Sequence, residues 1–463
     1  MKRFFTRGIS VIAGTLIFVF ICHQLNYIFC ATDEWFQQLF RSYYKQDNID
    51  NLFLGSSVVY FSENPEIMDE ETGLNNFNLS SNAQRIDTSY FLLKDAIEKN
   101  DLKNVYIDCY SWIMTEYEIW DNEKQQYVMV DYIDDPYNDG QLWKLIDELK
   151  FSLTKAQIIA EYSKEGDVFG AVLPFTRYRQ KLFDWDYIKE NLALKTKTKK
   201  NNGEPEIHTD EYGFKCYIQE KGYQYIDTEI PEDGRALAKE RDFNKYCMGK
   251  KGESWLRKCI ELCQKNNINV TLYVTPNIEL QIASTENYDR YYRELTAIAD
   301  EYNVELYDFN LIKEDYLDLN DRSMFCDVHH MNAKGAEKFT KLLAKVLRSN
   351  PDKNKEMFYE SIVQKKACEK PMLYGCYFYD YNEESGVESD PSEYDYRDFV
   401  IASNRENMKY TVSRTINGKN DGIPELIQES TDNKEIKIPI NEHGIIYIDG
   451  EYENQHQIIE IDY

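Results

Sequence analysis

Basic residues are in short supply in this chain. Its 54 lysines and arginines face 81 aspartates and glutamates, giving a net charge of −27 over 463 residues and a pI near 4.7. Nucleic-acid binding needs a basic face to neutralise phosphates, so this balance excludes it. It also disfavours adsorption to an anionic bilayer except through an anchor. Histidine is scarce too, at six residues. No two histidines stand four apart on a helix, no Cys-x-x-Cys pair occurs among the ten cysteines, and no Asp-x-Asp-x-Asp loop is present. The expectation is therefore no metal site and no cofactor. Internal repeats are absent as well. Cys259 and Cys263 read as one buried helical stripe, and Cys368 with Cys376 is the pair to examine for a disulfide.

The N-terminus carries Lys2, Arg3 and Arg7 ahead of an apolar run from Ile9 to Cys22, and apolar character resumes at Tyr27–Ala31. A helix from Gly8 to Ala31 would rise about 36 Å, enough to cross a bilayer. There is no small-x-small cleavage site, and Phe29 before Cys30 spoils a lipobox. The expectation is an uncleaved signal anchor over 1–32, with its basic flank cytoplasmic and the rest of the chain extracytoplasmic.

From 33 to 350 the chain reads as an α/β domain. Strands are expected at Leu52–Leu54, Asn76–Leu79, Val105–Cys109, Asn269–Thr275 and Val304–Asp308, alternating with amphipathic helices. That alternation predicts about five parallel strands flanked by helices. A long polar and aromatic insertion, about 115–246, interrupts it and reads as a lid, a binding wall or a mobile segment. Helical pieces are expected near 141–163 and 183–194, and the basic run Lys195–Lys200 reads as a solvated loop. Residues 352–463 change to short alternating strands and predict an all-β sandwich-like domain. The 37 tyrosines fit either loop packing or sugar binding.

Two segments carry chemistry. Gly55-Ser56-Ser57 ends the first apolar run, where open α/β sheets place reactive groups. Gly55 is expected to let the backbone turn sharply. Late in the chain stands Asp327-Val328-His329-His330-Met331-Asn332-Ala333-Lys334-Gly335. A serine hydroxyl needs a base, histidine has a suitable pKa, and a carboxylate fixes the imidazole tautomer. Alone, Gly-Ser-Ser is a common turn, and Asp-x-x-His commonly caps a helix. Together, at the first and last ends of one sheet, they define a candidate Ser57–His330–Asp327 centre.

With these residues the chain resembles the SGNH/GDSL hydrolase superfamily over about 50–115 and 253–348. Gly55-Ser56-Ser57 matches its first block, and Asp327, His330, Asn332 and Gly335 match its last, with His329 out of register. The resemblance implies Ser57 as nucleophile, His330 as base and Asp327 as its orienter. It also implies an oxyanion hole from the N–H groups of Ser57 and Ala83, where Ala83 stands in place of the family's glycine. The third block is missing: Tyr110, Ser111 and Trp112 follow the third strand, and Tyr110 or Ser111 is the available substitute donor. The Gly-Ser-Ser variant, anchor and insertion look most like the membrane-anchored branch, similar to the D-alanyl transfer protein of teichoic-acid esterification and to alginate O-acetylation proteins. That likeness implies a bacterial serine acyl-esterase or O-acyltransferase acting on a cell-surface polysaccharide or teichoic acid, with a membrane acyl-donor protein as partner. The rival readings are a non-catalytic glycan-binding or envelope-assembly protein and a phosphodiester or phospholipid hydrolase.

Overall fold

Short apolar runs separated by amphipathic stretches form a five-stranded sheet in which every pairing is parallel. The computed structural model describes residues 2–463 except 32, 122–123, 136–138, 151, 163–169, 171–172, 201–206, 210–212, 231–240, 380–395, 419–421 and 440–441. The strands are β1 (Asn51–Leu54), β2 (Asn76–Asn78), β3 (Asn104–Asp108), β4 (Asn269–Val274) and β5 (Glu305–Asp308), in the order β2-β1-β3-β4-β5. The order reverses between β1 and β3, so a crevice opens there at the carboxyl ends of the strands. The register is marked at the opposite edge by an asparagine ladder. Asn269 donates to Asn104 (3.0 Å), Asn104 to Asn51 (2.8 Å) and Asn51 to Asn76 (2.8 Å). Each of these residues starts its strand, and a slip by one residue would break every rung.

The helices follow the amphipathic pattern. Helix α1 (Lys2–Phe29) is mostly exposed from Gly8 to Gln24 and becomes buried toward Phe29, and Gly8–Phe29 is long and apolar enough to be a membrane anchor or a signal sequence. Helix α2 (Glu34–Tyr43) starts at Asp33, whose carboxylate accepts the Phe36 N–H. Helix α3 (Ser57–Ser62) leaves β1 directly, and α4 (Ile86–Lys99) links β2 to β3. After the insertion come α6 (Lys250–Lys265), α7 (Tyr288–Tyr302) and α8 (Ala333–Arg348), with α5 (Trp185–Lys200) inside the insertion. Helix α4 packs on α6, and α3 on α8. Cys259 and Cys263 form the expected buried stripe of α6.

The described residues of the insertion form several regular elements. It holds a hairpin (Glu116–Asp121 with Gln126–Asp131), helices at Asp139–Glu148 and Leu153–Tyr162, α5, and a hairpin of Lys215–Gln219 with Tyr223–Ile226. The expected loop at Lys195–Lys200 is instead the last part of α5, and Lys195 has a defined task there, since its ammonium donates to the carbonyls of Tyr27 and Cys30, both at 2.7 Å. Charge density alone suggested solvation; the free carbonyls at the end of α1 supply partners instead. The second hairpin closes onto the edge strand β2. Gly222 (φ +81°) lies so close that a Cβ would come within 1.9 Å of the Asn78 carbonyl oxygen.

Beyond residue 350 the strands are antiparallel, in a three-stranded sheet (Leu373–Tyr379, Tyr396–Ser403, Glu435–Pro439) and a four-stranded one (Glu425–Thr431, Lys409–Arg414, Ile445–Tyr452, Gln455–Asp462). Phe399, Ile401, Tyr410, Val412, Ile446 and Ile448 from both sheets share one buried cluster. The ten cysteines are all free. Cys368 is exposed and Cys376 is buried, so the pairing considered from sequence is not formed.

Candidate active site

Ser57 is placed by its own strand. β1 ends at Leu54, and Gly55 and Ser56 carry the chain into α3, whose first residue is Ser57. The chain turns from strand to helix within two residues, as expected, but Gly55 does so without a positive φ. It is required for space, because a Cβ would lie 2.3 Å from Val59 Cγ2 and 2.8 Å from Asp108 Cβ. Without one, α3 can start flush against β3, and the Ser57 N–H is among the helix-terminal donors that lack an intrahelical partner. The far end of α3 is braced from two sides. Asn78 Nδ2 donates to the carbonyls of Val59 (3.1 Å) and Glu63 (3.4 Å). Thr340 Oγ1 of α8 donates to the Ser62 carbonyl (3.1 Å) and accepts the Asn64 N–H (3.0 Å).

His330 comes from the loop ahead of α8. Asp327 Oδ1 accepts the N–H groups of His329 (2.7 Å) and His330 (2.8 Å), which folds the loop tightly. The Cys326 N–H closes it onto the His330 carbonyl (2.9 Å). The same carboxylate meets His330 Nδ1 at 2.8 Å, and His330 Nε2 lies 2.8 Å from Ser57 Oγ. Phe61, one helical turn after Ser57, packs its ring 4.8 Å from the His330 ring. The structure thus brings Ser57, His330 and Asp327 into one hydrogen-bonded line. Burial pulls the Asp327 pKa up, but the hydrogen bond and charge of His330 and the His329 N–H outweigh it and hold the carboxyl below its ordinary value. With a carboxylate at Nδ1, the imidazole carries its proton there and turns the Nε2 lone pair toward the serine hydroxyl.

The neighbouring strands bring the other expected residues to the same edge. Phe53 pairs with Asn78 and Leu54 with Ile107, so Asn82–Ala83 flank Ser57 on one side and Tyr110 on the other. Ala83 sits in the turn Ser81–Gln84 with φ +51°, a left-handed conformation that disfavours a Cβ by about 1–2 kcal/mol. A glycine would relieve that strain. Tyr110 Oη bonds His329 Nδ1 (3.0 Å), and Trp112 packs edge-on against the same imidazole. His329 therefore turns toward Tyr110, and His330 turns toward the serine.

A cleft of about 400 Å³ opens over Ser57, Asp327 and His330. Its walls are Asp33, Trp35, Phe36, Tyr60, Phe61, Asn82 and Gln224. Sequence reasoning left the substrate-binding residues unassigned. Two wall segments had no motif to reveal them: the start of α2, directly after α1, and the second hairpin of the insertion, which brings Gln224. The insertion is thus a wall of the cleft. It is tied to the histidine loop through the Ile230 N–H on the Phe325 carbonyl (3.0 Å) and Asn332 Nδ2 on the Thr228 carbonyl (3.1 Å). Among the described residues, no cluster of three or more His, Cys, Asp or Glu side chains is arranged to hold a metal ion.

Behind the serine lies a buried acidic pair. Burial pushes Asp108 up to about 7 against the N–H and hydroxyl of Thr275 and the N–H of Tyr110, and burial raises Glu63 well above its ordinary value against the Tyr273 hydroxyl. A raised acid holds its proton in the folded chain after the unfolded chain has released it. The contribution of these two acids to stability should therefore fall as pH rises from about 4 to about 7. Thermal unfolding followed across that range should show this slope, and Asp108→Asn should flatten it. An unchanged slope in that variant would mean that Asp108 is not its source.

A model of an uncharacterised family matches residues 238–351, a stretch that includes Asp327, His330, Asn332 and Gly335 but not Ser57. No curated protein matches the chain.

Proposed function

We propose that this chain is a membrane-tethered, extracytoplasmic serine acyl-esterase or O-acyltransferase of the SGNH type, acting on a cell-envelope glycopolymer such as a surface polysaccharide or teichoic acid. The observation that carries the proposal is the continuous Ser57–His330–Asp327 line, with Ser57 Oγ to His330 Nε2 at 2.8 Å and His330 Nδ1 to Asp327 at 2.8 Å. Such a line suits acyl transfer through a covalent intermediate. His330 takes the Ser57 proton as the oxygen attacks an ester carbonyl, and Asp327 stabilises the imidazolium. The N–H groups of Ser57 and Ala83 hold the oxyanion. The protonated His330 then gives its proton to the departing alkoxide. Water attacking the acyl-serine yields hydrolysis, and a glycan hydroxyl yields transfer.

Transfer is favoured by where the cleft stands. Asp33, Trp35 and Phe36 form its wall and follow α1 within a few residues, so an acyl donor carried by a membrane protein could reach Ser57. The test is a fluorophosphonate probe applied to the full chain, with the adduct located by peptide mapping. One adduct, on Ser57, is expected. Acetylated and D-alanylated glycans, supplied with and without an acceptor glycan, then separate hydrolysis from transfer. A folded chain that neither labels nor cleaves any ester would make glycan binding without catalysis the better account.

A further inference from the structure

An isolated apolar helix that merely tethers a domain would leave its last carbonyls to water. The last carbonyls of α1 are instead taken up by the insertion. Tyr187 Oη donates to the Phe29 carbonyl (2.7 Å), and Asn191 Nδ2 to those of Ile28 (2.9 Å) and Cys30 (3.0 Å). Lys195 donates to Tyr27 and Cys30, and the Phe175 N–H donates to Asn26 Oδ1 (3.0 Å). These donors recur every four residues along α5, so α5 lies across the end of α1. The segment Pro174–Lys181 packs against α1 as well. Between these two pieces the chain turns outward through Leu182-Phe183-Asp184-Trp185. Leu182 is exposed, Phe183 is 88 % exposed and Trp185 is 67 % exposed.

Single exposed apolar side chains are ordinary, but three large ones clustered within four residues mark an interaction site. Their position says for what. Gly8–Phe29 is about as long as the hydrocarbon core is thick, so an anchor crossing the bilayer brings Phe29 to the interface. Trp185 stands half a helical turn before Tyr187, which is bonded to Phe29 itself. The exposed cluster is therefore carried by the first turn of the helix that is bonded to the end of α1. The flanking charges are mixed, since Lys181 pairs with Asp184 (2.8 Å) and Lys189 lies 3.8 Å from Asp186, while the aromatic rings themselves, with Arg179 beside them, are residue types that favour a membrane–water interface.

We propose that Leu182, Phe183 and Trp185 insert into the bilayer interface beside the exit of α1 and seat the Ser57 cleft at the membrane surface. The proposal rests on the anchor reading of α1 and not on the chemistry of Ser57. The insertion is then a second point of membrane contact that fixes orientation, where a tether alone would leave the body free to tumble.

The test uses the full chain reconstituted in phosphatidylcholine vesicles, with and without brominated acyl chains. The emission of Trp185 is obtained as the difference between wild type and Trp185→Phe. Blue-shifted emission quenched by the brominated lipid and shielded from aqueous iodide is the expected result. A red emission quenched by iodide and indifferent to brominated lipid would overturn it. Phe183→Trp in the Trp185→Phe background reads the neighbouring position in the same way, and circular dichroism checks that each variant is folded. Ser57→Ala should leave the quenching unchanged. Failure of the catalytic proposal would thus show in probe labelling alone, and failure of the seat in quenching alone.

Discussion

Replacing His330 by alanine is expected to lower ester turnover by about 10³-fold or more, and adding Ser57→Ala to it is expected to lower turnover no further. The reason is that the two residues perform one act. Among the described residues the acceptor facing Ser57 Oγ is His330 Nε2 at 2.8 Å, and an imidazole facing no hydroxyl activates nothing. Each single loss therefore removes the whole nucleophilic route, and what remains comes from the cleft and the oxyanion donors. Asp327→Asn should cost about 10²-fold less than either, since it leaves both reacting groups in place. It would still remove the carboxylate that sets the tautomer, and the loop would lose the charge that gathers the His329 and His330 N–H groups. Steady-state turnover of an aryl acetate by the wild type, Ser57→Ala, His330→Ala, their double variant and Asp327→Asn checks this. Losses that simply multiply in the double variant would mean that Ser57 and His330 act separately. His329→Ala should retain most activity, because its ring is engaged with Tyr110 and Trp112.

The parts of this arrangement that sequence revealed are those with a local signature. The strands of the sheet were visible as apolar runs ending in turn residues, and each came within about a residue of its bounds. Ser57, Asp327 and His330 were visible because nucleophile, carboxylate and base are chemically distinctive types. What stayed hidden depends on distant parts of the chain meeting. The asparagines that start β1, β2, β3 and β4 look like ordinary strand-flanking polar residues until the sheet aligns them in a ladder. Gly55 looked like a flexible turn, yet what excludes a side chain there is Asp108 on the neighbouring strand. The strands Glu425–Thr431 and Gln455–Asp462 carry little signal in the sequence, because their polar residues break the apolar alternation on a largely exposed face. Lys195 looked like part of a charge run, and its partners are carbonyls some 165 residues away. Gln224 had no motif at all.

The tail of the histidine motif makes the same point in a form that can be measured. Asn332 and Gly335 carry no reaction step, and their work is to fix where the loop ends and α8 begins. Asn332 caps α8 by accepting the Gly335 N–H (3.1 Å), and its amide donates to the carbonyls of Ser323 (2.9 Å) and Thr228 (3.1 Å). Its own N–H donates to the Met324 carbonyl (3.0 Å). That carbonyl is where Gly335 matters: a Cβ on residue 335 would lie 2.1 Å from the Met324 oxygen and 3.0 Å from its carbon. Backbone cannot swing aside as a side chain can, so Gly335→Ala must push the Arg322–Met324 turn off the first turn of α8. We expect a loss of about 3 kcal/mol in stability, at the upper end of what overpacking usually costs. The displaced turn leads within three residues to Asp327, so the strain also reaches the 2.8 Å contact between His330 and Ser57. A shift of about 1 Å there is expected to lower turnover by about 10²-fold while the chain stays folded. Thermal unfolding together with the rate of fluorophosphonate labelling reads both effects. If Gly335→Ala melted and labelled like the wild type, the turn would have room to yield, and the spacing from His330 to Gly335 would need another explanation than this contact.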